Sequence, residues 1–175
     1  HGLNSDMEGI KAKKIEKYAK KNGLAFIRFD CRGHGKSHGK FEDFTISDWK
    51  KDLIDLIDNV IKGKLILIGS SMGGWLMLLA LTMRKKRIVG LLGISAATDF
   101  GKNIYNDLTK KSKKELKEKG ITKIGEKNFS YKIKNKFFIE AKKNNILNKK
   151  IKSEKPIIFL HGLKDKVVDK IMPLK

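Results

Sequence analysis

The strongest constraint in this sequence is Gly69-Ser70-Ser71-Met72-Gly73, set between Leu65-Ile66-Leu67-Ile68 and Trp75-Leu76-Met77-Leu78-Leu79-Ala80-Leu81. The first flank is short and apolar without alternation, the pattern of a central strand in a parallel sheet covered on both faces. The second is apolar all round but too short to span a membrane, which predicts a buried helix. A G-x-S-x-G pentapeptide joining strand to helix forces a sharp turn, with the middle serine at its apex in a strained backbone conformation. The residues two before and two after the apex pass so close together that a Cβ would clash, which explains Gly69 and Gly73. Placing the apex at Ser70 would put Ile68 and Met72 at those positions, so Ser71 is the candidate nucleophile.

Strand and helix signals alternate on both sides of this turn. Ser5 to Glu8 has capping-box spacing and precedes a helix with Ile10, Ile15, Tyr18 and Ala19 inward, ended by Gly23. Leu24 to Asp30 reads as a strand entering the glycine-rich loop Arg32-Gly33-His34-Gly35-Lys36-Ser37. Thr45 to Asp48 has capping spacing, and Ile46, Trp49, Leu53, Leu56, Ile57 and Val60 form the stripe of a second helix, closed by Gly63. Ile88 to Ile94 and Pro156 to Leu160 are further buried strands. Such alternation predicts an α/β fold with a mostly parallel open sheet flanked by helices. Residues 101–154 are lysine-rich and weakly periodic, as expected of a small helical cap inserted over the strand ends. The expected organisation is one domain over 1–175, incomplete at both ends, with that insertion inside it.

In such a sheet, function gathers at the carboxyl ends of the strands. The Met72 amide, at the start of the helix, is placed to face a developing oxyanion, and the Leu3 amide of the His1-Gly2-Leu3 turn is the expected second donor. For the acid, Asp165 in His161-Gly162-Leu163-Lys164-Asp165 is favoured, with Asp99 as its competitor; Asp107 and Asp169 read as surface acids. His1, His34, His38 and His161 all precede Asp165, so the expected general base lies beyond Lys175 and the chain as printed should be nearly inactive. His34 reads as shaping its loop and His161 as backbone packing. Cys31, His34 and His38 lack a fourth ligand, so neither metal nor cofactor is expected. Trp75 and Phe100 are candidate pocket walls, and Phe129, Tyr131, Phe137 and Phe138 either line an acyl pocket or form the insertion's own core.

The net charge is +21, from 40 Lys and Arg against 19 Asp and Glu, which raises the question of an anionic partner. Only four of the basic residues are arginines, and lysine tracks with Ile and Asn, so nucleic acid is not the expected partner; a basic rim attracting anionic acyl carriers is the alternative use. A single cysteine and no long apolar span point to a reducing compartment without stable membrane insertion: cytoplasmic for a bacterial source, mitochondrial for a eukaryotic one.

With these residues in view the chain resembles the α/β-hydrolase superfamily. It is more narrowly similar to the branch of mitochondrial palmitoyl-protein thioesterases and acyl-glucuronide esterases and their bacterial relatives. The narrower likeness rests on His1 to Met7, Ile27 to Ser37, Gly69 to Leu76, Ala96 to Phe100 and His161 to Asp165. It implies a serine hydrolase acting on a small-molecule or acyl-protein ester or thioester. An aminopeptidase-like hydrolase and a non-catalytic binding module on the same fold are the alternatives.

Overall fold

The computed structural model describes residues 1–125, 130–165 and 168; Phe129 and Asp169 lie outside them. Its centre is a parallel sheet of β1 (Leu65–Ser70), β2 (Ile88–Ile94) and β5 (Ile157–Leu160), in the order β1-β2-β5. The register pairs Ser70 with Ile94 and Ile94 with Leu160, so all three strands end at one edge. Helix α3 (Met72–Met83) leaves β1 directly and packs across β1 and β2, and α2 (Ile46–Asn59) packs on α3. No helix among the described residues is long and apolar enough to cross a membrane.

The capping prediction at Thr45 holds in detail: the Asp48 carboxylate accepts from the Thr45 amide at 2.9 Å and from its hydroxyl at 2.8 Å, completing a capping box on α2. Ile46, Trp49, Leu53 and Ile57 are buried as expected, together with Ile54, while Val60 is exposed. Helix α1 (Ile10–Lys21) departs from its prediction. Its N-cap is Gly9 without a side-chain cap, because the Glu8 carboxylate is taken by Arg28 and Lys13, which hold its pKa at about 2. Ala19 is the only fully buried residue on α1, and Ile10 and Tyr18 face outward.

The 24–30 segment runs without a ladder partner among the described residues, so the expected strand is an extended segment instead. Among the described residues the sheet is covered on one face. Leu67 is buried on the α3 side, but Ile66 is 64% exposed, and Ile68, Ile158 and Leu160 are exposed with it.

The 101–154 segment is mixed and not purely helical: α4 (Gly101–Asp107), α5 (Lys110–Lys119), an antiparallel hairpin of β3 (Ile121–Ile124) and β4 (Tyr131–Lys134), and α6 (Asn135–Lys143). The hairpin follows from Ile-Thr-Lys-Ile and Tyr-Lys-Ile-Lys, β-branched and alternating, which bury Thr122 and Ile133 and leave Lys123 and Lys132 in water. An aromatic chain ties this segment to the sheet layer: Trp75 meets Phe100 at 5.2 Å, Phe100 meets Phe137 at 6.4 Å, and Phe137 meets Trp49 at 6.2 Å. Both indoles are satisfied, Trp49 donating to the Arg32 carbonyl at 2.9 Å and Trp75 to the Asn144 carbonyl at 3.1 Å.

Thr45→Ala removes the hydroxyl of the α2 capping box and is expected to cost about 1 kcal/mol of stability. Urea denaturation reads this as a lower midpoint with an unchanged slope.

Candidate active site

Ser71 sits between β1 and α3 with φ at 51° and ψ at −116°, outside the regions open to L-residues at low cost. Three backbone hydrogen bonds hold it there. Its amide donates to the Ile94 carbonyl at 3.1 Å, and its carbonyl accepts from Gly74 at 2.8 Å and Ala97 at 3.1 Å. The glycine before the turn is a steric necessity, since a Cβ on Gly69 would lie 2.2 Å from the Gly73 carbonyl oxygen. A Cβ on Gly73 would lie 3.1 Å from the His1 carbonyl oxygen, a tight but milder contact. The Ser71 side chain is half-buried, and its hydroxyl has no hydrogen-bond partner among the described residues.

The His1-Gly2-Leu3 turn lies against this serine. Gly73 donates its amide to the His1 carbonyl at 3.1 Å, and a Cβ on Gly2 would lie 3.4 Å from the Ser71 Cβ and 3.8 Å from its Oγ. The next amides along each segment, those of Leu3 and Met72, are the two expected donors; neither is engaged with another group among the described residues.

Two imidazoles hold that turn, and only one was legible as a shaping residue. His34 is buried; its Nε2 accepts the Asn4 amide at 3.2 Å, so the proton sits on Nδ1, 3.3 Å from the Arg32 carbonyl. Burial pushes the His34 pKa down, which favours the neutral ring that can accept. His1, with its ring centroid 4.7 Å from that of His34, accepts the Cys31 amide on Nε2 at 3.1 Å and places Nδ1 2.9 Å from the Gly2 carbonyl. Asp30 contributes as well, accepting the Met7 amide at 2.7 Å and the Lys36 amide at 3.0 Å; a Cβ on Gly35 would strike its carboxylate. The Cys31 thiol is buried and its pKa is pushed up to about 12, so it stays protonated.

The two candidate acids have separate surroundings. Asp165 follows β5 in a turn closed by its own amide on the Gly162 carbonyl at 2.9 Å. Its Oδ1 accepts the Val168 amide at 3.0 Å, and Oδ2 lies 3.9 Å from His161 Nε2, which itself meets the Val168 carbonyl at 2.9 Å. Strand order puts Asp165 at the same sheet edge as Ser71, with β2 between them. Asp99 is occupied elsewhere: Oδ1 lies 2.9 Å from the Ile146 amide, and Oδ2 lies 3.0 Å from the Ile146 amide and 2.9 Å from the Leu147 amide. It therefore anchors the end of the 101–154 segment.

Ser71 opens onto a cavity of about 1370 Å³ shared with Leu3, Leu76, Phe100, Ile104 and Tyr131, which extends past the serine into the groove between the 24–29 segment and β1. Phe100 lines this cavity, while Trp75 is fully buried outside its lining, its indole on the Asn144 carbonyl. Phe137 is core as well, and Phe138 stacks edge-on against Tyr105. Among the described residues no cluster of His, Cys, Asp or Glu has the makings of a metal site.

Comparison with known proteins shows the family and the fold. The family described as serine aminopeptidase, S33 matches residues 1–151. Bovine mitochondrial palmitoyl-protein thioesterase ABHD10 is 39% identical over 171 residues, which are 95% of this chain and 56% of that protein. The chain therefore spans little more than half the length of that curated relative. The solved structure of mouse alpha/beta hydrolase domain-containing protein 10 superposes with a TM-score of 0.84 at 38% identity, covering 95% of this chain and 68% of that one. A putative hydrolase from Agrobacterium vitis S4 superposes at 0.91 with 31% identity, covering 99% and 70%.

Asp99→Ala strands the Ile146 and Leu147 amides and is expected to cost about 2 kcal/mol. Denaturation measures that loss, and the reactivity of Ser71 toward a fluorophosphonate in the native protein should be retained.

Proposed function

The chain belongs to the serine aminopeptidase S33 family of α/β-hydrolases, and on that premise we propose that it is the core of a serine hydrolase cleaving carboxylic esters or thioesters. In this scheme Ser71 Oγ attacks the acyl carbonyl, and the Leu3 and Met72 amides receive the oxyanion of the tetrahedral intermediate. A histidine oriented by Asp165 takes the serine proton and returns it to the leaving group. Water then releases the acyl group by the same route.

The observation that carries the proposal is the strained backbone of Ser71 with a free hydroxyl beside two unengaged amides. A turn held at positive φ by three hydrogen bonds is costly to keep unless the side chain it presents has a use. The general base is assigned outside the 175 residues. Both ring nitrogens of His1 and of His34 are engaged, and His161 Nε2 is held at the Val168 carbonyl with Nδ1 buried. His38, packed edge-on against Phe44 in the 33–40 loop, does not line the cavity.

Thioesters of acyl proteins are the favoured substrate class, by likeness to the palmitoyl-protein thioesterase ABHD10 relatives, and the mitochondrial location of those relatives supports the same location for a eukaryotic protein. The 101–154 segment is proposed as the cap over the acyl site, since Phe100, Ile104 and Tyr131 line the cavity with Ser71. Amide cleavage at a peptide amino terminus is the second reading, from the description of the matching family.

The test uses the whole protein, with p-nitrophenyl esters, acyl thioesters and aminoacyl anilides side by side. Ester or thioester turnover and fluorophosphonate labelling are expected, and Ser71→Ala should abolish labelling and lower kcat by on the order of 10⁶. Asp165→Asn should lower kcat by on the order of 10⁴. Labelling that survives Ser71→Ala sinks the assignment, and turnover of the anilides alone transfers it to the peptidase reading.

A further inference from the structure

Residues 101–154 hold 17 lysines, no arginine and six acidic residues, a denser positive charge than the rest of the chain carries. Their outer surface is not uniformly polar. Tyr105 on α4 is 43% exposed and Ile139 on α6 is 51% exposed, although both belong to short helices with other apolar residues turned inward. The two helices pack together, and the Tyr105 ring lies 5.3 Å from that of half-buried Phe138, which neighbours Ile139. Helical spacing surrounds these side chains with lysines: Lys102 three before Tyr105, and Lys136, Lys142 and Lys143 around Ile139. Lys113 reaches in from α5, its ammonium 5.6 Å from the Tyr105 ring centroid. Lys102 and Lys142 are exposed, and their side chains have no ion-pair or hydrogen-bond partner among the described residues.

We propose that this outer face of α4 and α6 docks the protein on an anionic lipid bilayer. Lys113, Lys136 and Lys143 are held by the Asn106 carbonyl, the Asp43 carbonyl and Glu140, while the ammonium groups of Lys102 and Lys142 extend beside the exposed tyrosine and isoleucine. This suits an interface in which apolar groups enter the acyl boundary and ammonium groups meet lipid phosphates. A nucleic acid is disfavoured because the segment contains no arginine fork, and among its described residues Tyr105 is the one exposed aromatic ring. An acidic protein is disfavoured because lysine is depleted from the desolvated centre of protein interfaces, whereas a fluid surface leaves each ammonium hydrated. The placement gives the docking a consequence for the site: α4 lines the Ser71 cavity with Ile104 and exposes the next residue, Tyr105, about 100° further round the helix. A bilayer bound there lies against the layer that borders the cavity.

The experiment is sedimentation with vesicles of phosphatidylcholine, alone or with about a third phosphatidylglycerol, at low and high salt. It reads no enzymatic activity, so its outcome is separate from that of the hydrolase proposal. Binding is expected to the anionic vesicles only and to weaken with salt. Lys102→Gln with Lys142→Gln should weaken it about fivefold for each lysine removed. Tyr105→Ser with Ile139→Ser should weaken it at least about fivefold. Lys64→Gln with Lys86→Gln changes two exposed lysines at the amino ends of β1 and β2, the sheet edge away from Ser71, and should leave binding unchanged. No binding to the anionic vesicles, an equal loss in both lysine pairs, or no effect of the Tyr105 and Ile139 changes would each overturn the proposal.

Discussion

The site depends on one clamp: the Ser71 peptide is gripped by the strand next to it. Its amide extends the β1–β2 ladder to Ile94, and its carbonyl takes the Ala97 amide just beyond β2 as well as the Gly74 amide inside α3. A positive φ on a non-glycine residue costs roughly 1–3 kcal/mol, and three hydrogen bonds at roughly 1 kcal/mol each are enough to hold it. The geometry of Ser71 is therefore a property of the sheet and not of a loop. Removing the β2 contact would let the turn relax even if every side chain of the motif remained.

The same logic extends to the turn before it. The His1-Gly2-Leu3 segment has no regular structure of its own, yet it is tied to α3 through Gly73 and to the 30–36 loop through His1, His34 and Asp30. Both imidazoles act as acceptors of backbone amides, a role available only to the neutral ring. His34 is kept neutral by its enclosure between Phe41, Trp49 and His1. In the proposed mechanism the Leu3 amide would have to stay in place as charge develops, and these ties supply the stiffness that this needs.

What the sequence could and could not tell follows from the range of each signal. The elbow, the α2 capping box and the buried helix α3 were legible because each is written in a few consecutive residues whose sterics or hydrogen bonding are self-contained. The 24–30 segment has the composition of a strand, but a strand exists only through a neighbour, and composition cannot say whether one is there. The same holds for Ile66 and Ile68, whose apolar character speaks for burial on both faces, while among the described residues one face is covered. The Ser5–Glu8 capping signal failed for a different reason: a long-range competitor, Arg28, took the glutamate. Trp75 was read as wall or core from its type alone, and the partner that decides between them, the Asn144 carbonyl, lies 69 residues away.

The division of labour among the acids shows the same long-range control and narrows the chemistry. A carboxylate has two oxygens and about four acceptor positions, so each backbone amide it accepts removes capacity to orient an imidazole. Asp30 is committed to Met7 and Lys36, Asp48 to Thr45, Asp52 to the Arg32 amide and guanidinium, and Asp99 to Ile146 and Leu147. Each of these acids ties one loop or helix end to another. Asp165 accepts the Val168 amide on Oδ1, and its Oδ2 lies 3.9 Å from His161 Nε2. It stands at the carboxyl edge of the sheet, one strand beyond the neighbour of β1. In the proposed mechanism Asp165 would hold the histidine from this edge, positioned by the Val168 amide on Oδ1, whereas Asp99 is committed to the Ile146 and Leu147 amides that tie down the 101–154 segment.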